Sequence, residues 1–194
     1  RFVKFLKVFS RNRKFLISFD TTEEPFYGEY SEAEDKLYLH EGSEAREADY
    51  HYKYLTVAIT TSFGSRYVLD GVILPRGCFI EDYVEDMLKF VKKHLPLEVV
   101  LFDRGFTSWA IIHVLKKLKI SYMIFWKKHG NWYKKHFNQM EKGEHKKILK
   151  KGKYCKDKNG YKVSSHFNLI KQLEYEEKSW FNKATLFSSI SALI

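Results

Sequence analysis

Apolar residues recur along this chain with two different periods, and the points where the period changes predict its elements. Phe15-Leu16-Ile17-Ser18-Phe19 is a short apolar run ended by Asp20 and reads as a strand. Tyr54 to Thr61 and Arg66 to Leu74 are both rich in β-branched residues. The link between them, Ser62-Phe63-Gly64-Ser65, is short enough for a hairpin. Val84, Met87, Leu88, Val91 and Leu95 then follow helical spacing, with Glu81 and Asp82 at the start, Lys92 and Lys93 near the end and Pro96 just beyond. Glu98 to Phe102 is another strand-like run, bounded by Pro96 and Gly105. Thr107 or Ser108 can cap a second helix that places Ile111, Leu115 and Leu118 on one face, and Ile120 to Trp126 closes the pattern as a strand. Upstream, Phe2, Val3, Phe5, Leu6, Val8 and Phe9 among lysines look like the tail of a preceding amphipathic helix.

Hairpins pair antiparallel, whereas strands joined through helices are expected to run parallel with right-handed crossovers. The prediction is an α/β fold, a mixed sheet with helices on its faces, over residues 15–194, with residues 1–14 as the end of a helical region. The chain opens on Arg1, and it is expected to be a fragment.

Charge changes the picture once it is located. Of the 194 residues, 44% are hydrophobic and 17% aromatic, enough for a sizeable core, and the formal net charge is +10. Residues 127–162 carry thirteen lysines against Glu141, Glu144 and Asp157, so this one segment holds the whole excess. Trp126, Trp132, Tyr133, Phe137, Tyr154 and Tyr161 lie among those lysines. Lysines mixed with aromatic rings suit a DNA backbone, because neutralised phosphates release counterions and rings stack on exposed bases. The candidate contacts are Lys127, Lys128, Lys134, Lys135, Lys146, Lys147, Lys150 and Lys151. A solvated, lysine-rich surface excursion is the alternative. Residues 23–49 form an opposing block of ten acids against Lys36 and Arg46, expected as a mobile solvated loop or a small helical insert.

Other chemistries are excluded by what is missing. Cys78 and Cys155 form no CxxC pair, so neither a disulfide framework nor a zinc ribbon is indicated, and a reducing, cytoplasmic setting is expected. No apolar run approaches the length of a membrane span. The eight histidines include none at HxxxH spacing and are expected as surface or core residues.

Asp20 and Asp103 stand at matching positions, each directly after a strand-like run. Open α/β sheets gather their chemistry at the carboxyl ends of strands, so the two carboxylates are candidates to share a divalent cation. Either can instead be a helix or turn cap.

Asp20-Thr21-Thr22 followed by Pro25-Phe26-Tyr27-Gly28, the hairpin from Tyr54 to Leu74, and Asp103-Arg104-Gly105-Phe106 leading into a helix together resemble the catalytic domain of prokaryotic insertion-sequence DDE transposases. The resemblance is clearest over residues 15–126 and implies an RNase H-like fold. It implies that Asp20 and Asp103 are the family's two catalytic aspartates and bind Mg²⁺ or Mn²⁺. It further implies metal-dependent cleavage and strand transfer on DNA, with a homodimer in the DNA complex. Arg104 would touch DNA phosphate or brace the site through an ion pair with an acid of residues 23–49. The family's third acid, a glutamate on a late helix, is less clear. Tyr175-Glu176-Glu177-Lys178 is similar to its signature, but Trp180 to Leu186 resembles the strand that precedes that helix. On that reading Glu174 to Glu177 form a turn, the third acid lies beyond Ile194 or is lost, and the chain by itself is impaired in catalysis. The alternative makes Glu177 the third ligand. Rival functions are a remnant that only binds DNA, an RNase H-like nuclease and, least well matched, a carboxylate-pair glycosidase, which leaves the lysines unexplained.

Overall fold

The computed structural model describes residues 14–42, 48–61, 65–125, 131, 135, 136, 138–141, 144–156, 159–170 and 185–189. The expected helical tail at 1–14 falls almost wholly outside them. The chain divides into two compact units, residues 1–100 and 101–194.

In the first unit a twelve-residue strand, β1 (Phe15–Phe26), pairs antiparallel with β3 (Tyr50–Thr60) along its whole length, from Leu16 opposite Thr60 to Phe26 opposite Tyr50. Short β2 (Leu39–Glu41) pairs with the start of β3, and β4 (Arg66–Ile73) pairs with the rest, with a bulge at Val57/Ala58. The strand order is β2-β3-β1-β5, β4 lying beside β3. β5 (Leu97–Phe102) starts level with β1, whose Phe15 N–H donates to the Pro96 carbonyl at 2.9 Å. Ile17 and Phe19 of β1 are buried with Leu55, Val57 and Ile59 of β3. Helix α1 (Ile80–His94) buries Val84, Met87, Leu88 and Val91, the stripe its periodicity predicts, and its acidic first turn and basic last turn complement the helix dipole.

In the second unit, β5 leads into a 3-10 turn (Arg104–Phe106) and helix α2 (Trp109–Lys117). Ser108 rather than Thr107 caps α2: its Oγ accepts from the Ile111 N–H at 3.1 Å, while Thr107 Oγ1 donates to the Phe125 carbonyl at 3.1 Å. β6 (Tyr122–Phe125), β7 (His145–Lys156), β8 (Asn159–Ile170) and β9 (Thr185–Ser189) follow in the order β6-β9-β8-β7, every pair antiparallel. The fold is therefore mixed α/β, as predicted.

Two expectations are corrected. β1 does not stop at Asp20: it runs six residues further, because Thr22, Glu24 and Phe26 keep pairing with Tyr54, Tyr52 and Tyr50, and Phe26 meets the Tyr52 ring edge-on at 5.9 Å. The described part of the acidic block is more than a loop or a small helical insert: it holds the end of β1, two 3-10 turns (Tyr30–Glu32 and Lys36–Tyr38) with irregular stretches between them, and β2. The strand expected at 180–186 is described only as β9, residues 185–189, and Glu174, Glu176 and Glu177 lie outside the described residues.

Candidate functional site

Alternation along β1 puts Ile17 and Phe19 into the core and turns Leu16, Ser18, Asp20 and Thr22 to the other face. That face is polar at its centre: Thr60 Oγ1 donates to Ser18 Oγ at 2.7 Å, and Thr56, opposite Asp20, donates from its hydroxyl to the Asp20 backbone carbonyl at 3.4 Å. The Asp20 carboxylate is half exposed and accepts from Arg66 Nη1 at 3.1 Å. Arg66, the first residue of β4, had no sequence signal to link it to Asp20; their meeting depends on β3 pairing with β1 on one side and β4 on the other.

Asp103 follows β5 directly and is exposed. Its Oδ1 accepts from the Gly105 N–H at 2.8 Å and so caps the 3-10 turn, the capping role being the one weighed against metal binding from sequence. A side chain at Gly105 would crowd that carboxylate, since a Cβ there would stand 3.0 Å from Oδ1. Arg104 is exposed in the same turn. Asp20 belongs to the first unit and Asp103 to the second. Among the described residues no group of three His, Cys, Asp or Glu side chains gathers to hold a metal.

The later part of the lysine-rich segment, from His145 onward, proves to belong to a hairpin, which the sequence analysis missed. β7 and β8 pair over their full length, from His145 opposite Ile170 to Lys156 opposite Asn159, leaving a connection of residues 157 and 158. Alternating exposure and pairing sort the side chains onto two faces. One carries Lys150 opposite Ser165, Gly152 opposite Val163, and Tyr154 opposite Tyr161. This face packs on α2: His113 lies 5.6 Å from the Tyr154 ring and 4.7 Å from the Tyr161 ring, and the buried Ser165 shares a hydrogen bond with Tyr122 at 3.0 Å. Burial pushes the Lys150 amine below the ordinary lysine value. The other face carries exposed Lys147, Leu149, Lys151, Lys153 and Cys155 on β7, and exposed Lys162 and His166 on β8. Lys146 and Lys135 are also exposed, whereas Lys127, Lys128 and Lys134 lie outside the described residues.

Gly152 lets the hairpin and α2 meet. A Cβ there would run into the Trp109 indole at the Cε2, Cδ2 and Nε1 atoms. Gly152→Ala is therefore expected to cost about 1–3 kcal/mol, the usual range for overpacking a well-filled site, as a lower urea midpoint with an unchanged slope. An unchanged midpoint would show that Trp109 moves aside freely.

No protein-family model matches the chain, and no curated protein is similar to it in sequence. Among solved structures, the layout of strands and helices matches that of a transposase. One such structure is the cryo-EM structure of a piggyBac transposase synaptic complex with hairpin DNA, with a TM-score of 0.53 and 13% sequence identity. The match covers 94% of this chain and 35% of that one, so the chain spans about a third of its neighbour's length. At that identity the likeness is one of fold. No helix among the described residues is long and apolar enough to cross a membrane.

Proposed function

We propose that this chain is a DNA-processing domain of transposase type, of the kind found in prokaryotic insertion sequences. It binds duplex DNA through the outward face of the β7–β8 hairpin and holds Mg²⁺ or Mn²⁺ with Asp20 and Asp103 for phosphodiester cleavage and strand transfer. The observation that carries this reading is the transposase-like layout over 94% of the chain, with Asp20 on β1 and Asp103 directly after β5, two strands that start level with each other. Asp20 and Asp103 would hold the ion, as hard carboxylate oxygens suit Mg²⁺. When bound, the metal activates an attacking water or 3′-hydroxyl and stabilises the leaving oxygen of an in-line displacement. The lysines hold the DNA backbone against the domain, and Arg66 occupies Asp20 until a metal competes for it. Assembly on DNA is proposed to be as a homodimer.

The test is linkage between metal and DNA. If phosphates complete the metal's shell, saturating duplex DNA should tighten Mn²⁺ binding to the full chain, and Mn²⁺ should tighten DNA binding by the same factor. Mn²⁺ affinity that ignores DNA would overturn the reading. Joining of an oligonucleotide 3′ end to plasmid, rather than nicking alone, separates a transposase from a nuclease.

Arg66→Ala sharpens the assignment of Asp20. The Asp20–Arg66 pair is exposed, and such pairs contribute about 0–1 kcal/mol. Removing the guanidinium should therefore leave stability nearly unchanged and raise Mn²⁺ affinity by up to about fivefold, measured by titration calorimetry. A fall in affinity would mean that Arg66 positions Asp20 for the metal instead of competing with it.

A further inference from the structure

The first unit contains a hollow of about 450 Å³ at the paired ends of β1 and β3, far along β1 from Asp20. Its lining includes the aromatic residues Phe26, Tyr27, Tyr30 and Tyr50 and the acids Glu29 and Asp49. Tyr30 and Tyr50 stack with ring centroids 4.5 Å apart and planes 17° from parallel, so two of the aromatic walls brace each other. Tyr27 is 75% exposed, a large ring left facing solvent. Aromatic ring faces carry negative potential, and acids beside them add to it, a combination that favours organic cations and disfavours phosphate. The chain supplies a cation here itself: Lys36 Nζ sits 5.7 Å from the Tyr30 ring centroid and donates to the Ser31 carbonyl at 2.7 Å. The described residues of the surrounding block, 23–42, 48 and 49, carry eight acids against Lys36, a charge of the same sign.

We propose that this hollow is a binding site for the positively charged side chain of a lysine- or arginine-bearing polypeptide, with the rings of Tyr27 and Phe26 taking the cation and Glu29 and Asp49 pairing with it. The occupant is a basic protein segment and not nucleic acid: the site's charge repels the phosphates that the hairpin lysines attract. Lys36 shows the recognition in miniature, an ammonium on a ring face with a carbonyl as hydrogen-bond acceptor. The site stands independently of the DNA-processing reading, since it uses none of the same residues.

The test uses the full chain, a tetralysine amide peptide and the same peptide with every side-chain amine acetylated, followed by NMR of the tyrosine ring signals. The charged peptide is expected to shift the signals of Tyr27 and Tyr30, and the acetylated one to leave them in place. Tyr27→Ala, at a residue too exposed to support the core, should weaken the charged peptide about two- to fivefold, the range for one exposed cation–π contact. The pair Glu29→Gln and Asp49→Asn should weaken it further without unfolding the chain. Equal binding of the acetylated peptide, shifts confined to other residues, or duplex DNA moving the Tyr27 and Tyr30 signals would each overturn the proposal.

Discussion

Replacing Lys147, Lys151, Lys153 and Lys162 together with alanine is expected to flatten the salt dependence of DNA binding by about 3.6 in the slope of log K against log salt, at about 0.9 per lost phosphate contact. These four lysines share the exposed face of the β7–β8 hairpin. Lys147 and Lys153 are six residues apart, which on an extended strand is about 20 Å, the length of about six base pairs of duplex. Fluorescence anisotropy with a labelled duplex at several salt concentrations measures the slope. The control is Lys150→Met on the other face, beside Ser165. Burial holds the Lys150 amine below its ordinary value of 10.5, so in the fold its charged form is disfavoured. Lys150→Met should leave the slope unchanged and hold or raise stability. A group whose folded value is depressed in this way carries its cost wherever it is protonated in both states. The variant's advantage should thus be fully present below the depressed value and fade as pH rises through it towards the ordinary one. A quadruple variant with the parental slope would place the DNA elsewhere and leave the lysines as guards of an edge strand, since β7 ends the strand order and charged edges block unwanted strand pairing.

The second large effect is expected at the carboxylates. Asp20→Asn and Asp103→Asn should each weaken Mn²⁺ binding by more than the roughly 10–100-fold typical of losing an outer-shell partner, because on the proposed reading each removes a charged ligand itself. Asn caps a turn about as well as Asp, so the 3-10 turn after β5 should persist in Asp103→Asn, and loss of metal there will not be loss of fold. Asp20→Asn removes only an exposed ion pair to Arg66. The double variant decides between one shared site and two separate ones. If both carboxylates serve one cation, the second substitution should add far less than the first; if they act independently, the losses add. Asp70→Asn is the matched control, an exposed acid on β4 whose Oδ1 accepts from the Gly71 N–H at 2.9 Å. Full Mn²⁺ affinity in both single variants would remove the metal reading and leave Asp103 as a turn cap.

Local patterns were legible where local chemistry decides. The stripe Val84, Met87, Leu88 and Val91 specified α1, Ser108 was one of two capping residues foreseen for α2, and Asp103 was placed directly after a strand. The basic segment was legible as charge but not as structure. Lys146, Lys147, Lys150 and Lys151 come as adjacent pairs four residues apart, a spacing that suits one helix face better than one strand face and so conceals the hairpin.

What the amino-acid sequence determined by itself is therefore the set of elements with strong periodicity, the location of the surplus charge and the two acids beside strand-like runs. Only tertiary structure decided how far β1 extends, because its residues beyond Asp20 are held by Tyr50 to Tyr54, about thirty residues away along the chain. Tertiary structure also chose which lysines face solvent: Trp109 of α2 settles against Gly152 and covers one side of β7, turning Lys147, Lys151 and Lys153 outward. Pairings of that kind depend on contacts between distant segments, whose cost in chain entropy and gain in burial no local window of sequence records.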